Sequence, residues 1–184
     1  MGNITAAMVK ELRDITSAGM MECKKALTEA DGDLDKAIDI MRTKGQAKAA
    51  KRASKVAAEG VIVIRRNADN TQAFMVDVNS ETDFVARDAS FLAFSEQLAE
   101  RGIQEQVDSV EALMALPVEP NGSETFNDVR QSLIHSLGEN VQVRRCTLLA
   151  SSGLVGSYNH GARIGVLVAF EGGDDELAKD VAMH

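Results

Sequence analysis

Thr82-Asp83-Phe84-Val85 sets a large apolar ring beside a carboxylate where a strand pattern gives way to a helical one. Such a pair suits recognition of another molecule better than bond-making. Phe84 sits among Glu81, Asp83, Arg87 and Asp88, so it either folds back as a staple on the following helix or stands free for a partner. The helix after it already has its own anchors, because Phe91, Phe94 and Leu98 recur at i, i+3 and i+7. Catalytic groups are harder to assemble. Of the three histidines, His135 falls on a helical stretch, His184 is terminal, and His160 lies at the tip of a hairpin in Tyr158-Asn159-His160-Gly161. There an imidazole either contacts a partner or serves the turn. No GxSxG, P-loop, post-strand GxGxxG or metal-ligand spacing occurs, and the 28 Asp and Glu form no recognisable pair. No enzyme, metal site or cofactor is therefore expected.

Met20-Met21 opens a second short helix. Neighbours on a helix point about 100° apart, so either one thioether faces outward, where it can adapt to a partner, or both are half-buried at the edge.

The elements that position these residues are legible from periodicity. Thr5 caps a helix to Ile15 with Met8, Leu12 and Ile15 on one stripe; Ser17-Ala18-Gly19 breaks it. A second helix covers Met20 to Ala30. After the turn Asp31-Gly32, Asp33 caps a third, which turns Leu34, Ala37, Ile38 and Met41 inward and stops near Gly45. Residues 46–58 are Ala-rich and basic, either a solvated connecting helix or a phosphate-binding stripe. From Gly60 the period becomes two: strands Val61 to Arg65 and Ala73 to Asn79 form a hairpin, followed by the Thr82 turn and a helix closed by Arg101-Gly102. A loop over Leu113 to Asn121, a helix from Glu124 to Leu137 and a strand from Val141 to Leu149 come next. Strands Gly153–Tyr158 and Arg163–Phe170, the acidic turn at Gly172–Asp175 and a helix from Glu176 then repeat the order hairpin, turn, helix. This second copy has no Phe at its strand-to-helix turn, which marks Phe84 for a task other than packing.

The expected fold is α+β, with a three-helix head (1–45), a basic helical linker (46–59), a first core subdomain (60–140) and an incomplete second one (141–184), the core being a duplicated β-β-α unit with antiparallel sheets. The formal charge of −8 argues against general nucleic-acid binding. It is unevenly spread. Residues 1–56 carry 11 Lys/Arg and 8 Asp/Glu, net +3, whereas residues 57–184 carry 9 and 20, net −11. No apolar run approaches the roughly 20 residues of a membrane span, no secretory signal is seen, and two distant cysteines fit free thiols in a reducing cytoplasm.

Four stretches together resemble the bacterial elongation factor Ts family: Ser17 to Leu27, Thr82 to Asp88, Gly138 to Arg145, and Gly156 to Val168. The resemblance implies a ubiquitin-associated-type head, a duplicated core, a cytoplasmic location, and nucleotide exchange on the GTPase elongation factor Tu. It also implies that Thr82, Asp83, Phe84 and Val85 intrude beside the GTPase's magnesium site, with Phe84 as wedge, and that the head and the core make further contact, for which Met20, Met21 and His160 are the expected positions. Members of the family continue well past residue 184, so this chain is expected to be truncated. An interaction scaffold using the helical head is the alternative.

Overall fold

The computed structural model describes residues 4–16 and 18–184; Ser17, part of the expected break, lies outside them. By contacts the chain divides into two units, one of residues up to Val56 with Asp128–Asn140, the other of Ala57–Asn127 with Val141–His184.

In the first unit, α1 (Ala6–Thr16), α2 (Met20–Glu29) and α3 (Leu34–Arg52) surround a core that includes Val9, Leu12, Cys23, Leu27, Ala37 and Met41. Thr5 accepts from the Met8 N–H at 3.3 Å, and Asp33 accepts from the Lys36 N–H at 3.1 Å, as capping residues should. Between α2 and α3, Asp31 and Gly32 take φ of 53° and 86°, and the Gly32 N–H returns to the Leu27 carbonyl at 2.9 Å. The inward stripe of α1 differs from expectation. Val9 and Leu12 define it, which leaves Ile15 about 90° round the helix and 54% exposed.

Gly45 does not stop α3, which continues to Arg52. High helix propensity favours this, and so does packing that composition alone conceals. Gly45 and Ala49 are buried; a Cβ on Gly45 would lie 3.8 Å from the Cβ of His135. The covering segment belongs to α7 (Phe126–Leu137). Lys48 Nζ donates to the His135 carbonyl at 2.6 Å, and Asn140 Nδ2 donates to the Lys55 carbonyl at 2.8 Å. The segment expected as a linker is thus half structural, and residues 128–140 group with the head.

In the second unit, β1 (Glu59–Arg66), β2 (Gln72–Ser80) and β3 (Val141–Ala150) form an antiparallel sheet in the order β1-β2-β3. A boundary at 140/141 would cut this sheet, because β3 pairs with β2 rather than opening the second copy. β4 (Leu154–His160) and β5 (Ile164–Phe170) form a separate antiparallel pair, carrying α8 (Asp175–Met183). One face of the larger sheet buries Val61, Val63, Phe74, Val76 and Val78; α5 (Ala89–Gln104) contributes Phe91, Phe94 and Leu98, the expected anchors. Each fully buried ring or Leu stabilises by roughly 1.5–3 kcal/mol. Gly102 does not close α5. It is buried within the helix, where a Cβ would lie 2.3 Å from the Phe74 ring, so the glycine makes room for that ring. The loop expected from Leu113 begins later, because Leu113 to Ala115 belong to a short helix, α6 (Val110–Ala115), capped by Ser109. Phe126, at the start of α7, meets Phe94 with ring centroids 6.1 Å apart.

Two outcomes test this packing. A Cβ on Gly156 would lie 2.3 Å from the Ala178 carbonyl oxygen, so Gly156→Ala should destabilise by about 1–3 kcal/mol. The check is a lowered urea midpoint at unchanged slope; an unchanged midpoint contradicts the close approach of α8. At α5, Asp88 accepts from the backbone N–H of Ser90 at 2.8 Å. The Ser90 hydroxyl first, and the Ser90 and Phe91 amides after it, hold the carboxyl below its ordinary value against an opposing effect of burial. The unfolded chain therefore binds this proton more readily, so the cap contributes fully above the ordinary carboxylate range and is lost as pH falls through the lower folded value. Asp88→Ala should cost about 1 kcal/mol at pH 7, and the gap from wild type should close below about pH 4, read from denaturation midpoints across pH.

Candidate functional site

The Thr82 turn is one turn of helix, α4 (Asp83–Ala86). Thr82 has extended backbone and its Oγ1 accepts from the Val85 N–H at 3.4 Å, while the Thr82 carbonyl accepts from the Ala86 N–H at 3.2 Å. Upstream, the buried Ser80 hydroxyl donates to the same carbonyl at 2.9 Å, tying the turn to the end of β2. Ala86 is buried, and Asp88 follows at once as the cap of α5. With both ends fixed, the one inward position goes to Ala86, and Phe84 stands 83% exposed. It does not fold back on α5. Val85 is half-buried, and Asp83 pairs with Arg87 at 3.1 Å.

His160 is exposed, as expected, but it ends β4 instead of sitting in the turn, which is formed by Gly161 to Arg163. Its Nδ1 shares a 3.0 Å hydrogen bond with the Tyr158 hydroxyl. The turn is pinned to the outer edge of β1: the Ile62 N–H donates to the Ala162 carbonyl at 2.7 Å, and Asn159 Nδ2 donates to the Ile62 carbonyl at 3.2 Å. These bonds put two sequence-distant pieces on one cleft of about 380 Å³. Asp83, Ala86 and Arg87 line one side, His160 to Ile164 another, with Gly60 and Val61 between. Arg87 and Arg163 therefore belong to this site as much as His160 does. Arg87 stands at i+4 from Asp83 in the sequence-local turn, whereas nothing in the spacing of Arg163 marked it; only the docking of the hairpin does.

Met20 and Met21 lie in the first unit. Both are exposed, at 46% and 66%, so the outward-facing reading fits Met21 and extends to Met20, and the half-buried alternative does not hold. The inward face of α2 is taken by Cys23, Ala26 and Leu27. Nearby, the buried His135 brings Nε2 within 3.1 Å of a Glu22 carboxylate oxygen. Cys23 is buried and Cys146 half-buried, both free. Burial, with Asp108 and Glu111 adding to it, pushes the Cys146 thiol up. Among the described residues no three His, Cys, Asp or Glu converge as a metal site, and no helix is long and apolar enough to cross a membrane.

A family model for elongation factor TS matches residues 81–184. An elongation factor Ts of Coxiella burnetii is 56% identical over all 184 residues, which cover 62% of that protein. That of Alcanivorax borkumensis is 55% identical over 177 residues, 96% of this chain and 61% of its own length. That of Arthrospira platensis is 51% identical over 184 residues, all of this chain and 74% of the relative. The chain thus spans about three fifths of the length of the first two. With the exposed turn inside the matched region and identity running through the head as well, the chain belongs to the elongation factor Ts family of translation elongation factors.

Proposed function

We propose that this chain is a non-enzymatic guanine-nucleotide exchange factor for elongation factor Tu, acting in the cytoplasm, with Thr82–Val85 entering the GTPase beside its magnesium ion. The observation that carries the reading is Phe84, 83% exposed on a turn held at both ends. A large ring kept in water by rigid backbone has its burial still to make, and a partner supplies it. Magnesium bridges and neutralises the phosphates of a bound nucleotide, so displacing its ligands leaves the diphosphate poorly held. Factor and nucleotide then weaken each other's binding reciprocally.

Magnitudes set how much contact is required. A thousandfold loosening of nucleotide corresponds to about 4 kcal/mol, and burying one Phe supplies roughly 1.5–3 kcal/mol. Phe84 is therefore insufficient alone. His160, on the same cleft as Asp83, and the exposed Met20 and Met21 of the head are the groups that supply the remainder. Asp83 serves as the polar partner of the wedge, its carboxylate oriented by Arg87.

Phe84→Ala should slow release of fluorescent GDP from elongation factor Tu by roughly tenfold to a hundredfold in stopped flow. Its melting temperature should stay close to wild type, because the side chain is already exposed in the fold. Release at the wild-type rate would overturn the wedge role.

A further inference from the structure

β3 carries a bulge. Its ladder with β2 pairs Asp77 with Arg145 and Val78 with Val143, so Arg144 is an extra residue between two pairs. Adjacent side chains of a regular strand point to opposite faces; a bulge breaks that alternation and re-aims a side chain. Here Val141 and Val143 are buried, whereas Arg144 and Arg145 are both exposed. Both line one polar cleft of about 170 Å³, together with Arg163, Asp77 and Asn79.

The floor and flanks are already committed. Buried Asp77 accepts from Arg145 Nε at 3.0 Å and from Asn79 Nδ2 at 3.2 Å, and Arg163 pairs with Glu59. Arg144 differs. Among the described residues of this unit, Arg65, Arg66, Arg87, Arg101, Arg145 and Arg163 each pair with a carboxylate, and Arg144 alone has no partner. That is a notable vacancy in residues 57–184, which carry a net −11. Three guanidiniums against Asp77 and Glu59 leave one positive charge, and each guanidinium has five N–H donors, more than one carboxylate oxygen uses.

We infer that the bulge at Arg144 assembles an oxyanion-binding cleft, with Arg144 as its open donor and Arg145 and Arg163 beside it, that takes a carboxylate. A single uncompensated charge suits a monoanion, and the planar fork of arginine matches a carboxylate in two parallel hydrogen bonds. A phosphate dianion would bring its second charge over Asp77.

The test needs no GTPase, so it succeeds or fails separately from the exchange reading. Isotope-labelled full chain is titrated with sodium acetate and, in a parallel series, with sodium phosphate, each at ionic strength held constant by sodium chloride. Acetate should shift the Arg144 guanidinium and the Val143–Cys146 amide signals saturably. Arg144→Gln should weaken that response by about tenfold, and Arg144→Lys, which keeps the charge without the fork, should recover part of it. Unchanged amide signals elsewhere establish that the variants fold. A stronger response to phosphate than to acetate would overturn the carboxylate assignment, and a response absent in wild type or retained in Arg144→Gln would overturn the site.

Discussion

The candidate site depends on the backbone of one residue. Ile62 lies on the outer edge of β1, and its N–H and C=O are taken by the Ala162 carbonyl and the Asn159 amide. Unpaired strand edges are open to any passing backbone; here the edge is closed by the hairpin that carries His160. Close approach also requires a missing side chain, since a Cβ on Gly165 would lie 2.6 Å from Ile62 Cγ2 and 2.8 Å from Met75 Sδ. Glycine on β5 and two hydrogen bonds on β1 together bring residues about eighty positions apart to one cleft.

The Thr82 turn illustrates how rigidity can be borrowed. A single helical turn in isolation is unfavourable, because nucleation fixes several dihedrals for one hydrogen bond. α4 exists between two fixed points, the Ser80 hydroxyl on the Thr82 carbonyl and the Asp88 cap of the next helix. The backbone ordering under Phe84 is thus completed when the protein folds. Docking then has mainly the ring's own rotamers left to restrict, and preorganisation of this kind is what lets a small contact surface count.

Much of this was legible from residue spacing. Phe91, Phe94 and Leu98 marked a core helix, Asp33 marked a cap, and the lack of a Phe at the matching turn of the second copy marked Phe84 for a task other than packing. The misses share a cause, which is packing between distant segments. Gly45 signals a helix end by composition, yet α3 runs on because residues 128–140 cover Gly45 and Ala49. The boundary at 141 assigns the strand Val141 to Leu149 to the second core subdomain, yet its pairing with β2 follows from register that no local pattern encodes. Arg144 and Arg145 carried no site signal in the sequence; the skipped ladder position leaves both exposed on one cleft. Arg163 became a site residue only through the docked hairpin.

Cys146 has a consequence for durability. The thiolate is the nucleophile that attacks peroxide and disulfides, and burial with the nearby Asp108 and Glu111 carboxylates disfavours that form at Cys146. Cys23 is shielded from solvent within the helical core. The two sulfhydryls are thus held back by different means, Cys146 by a disfavoured charge and Cys23 by lack of access.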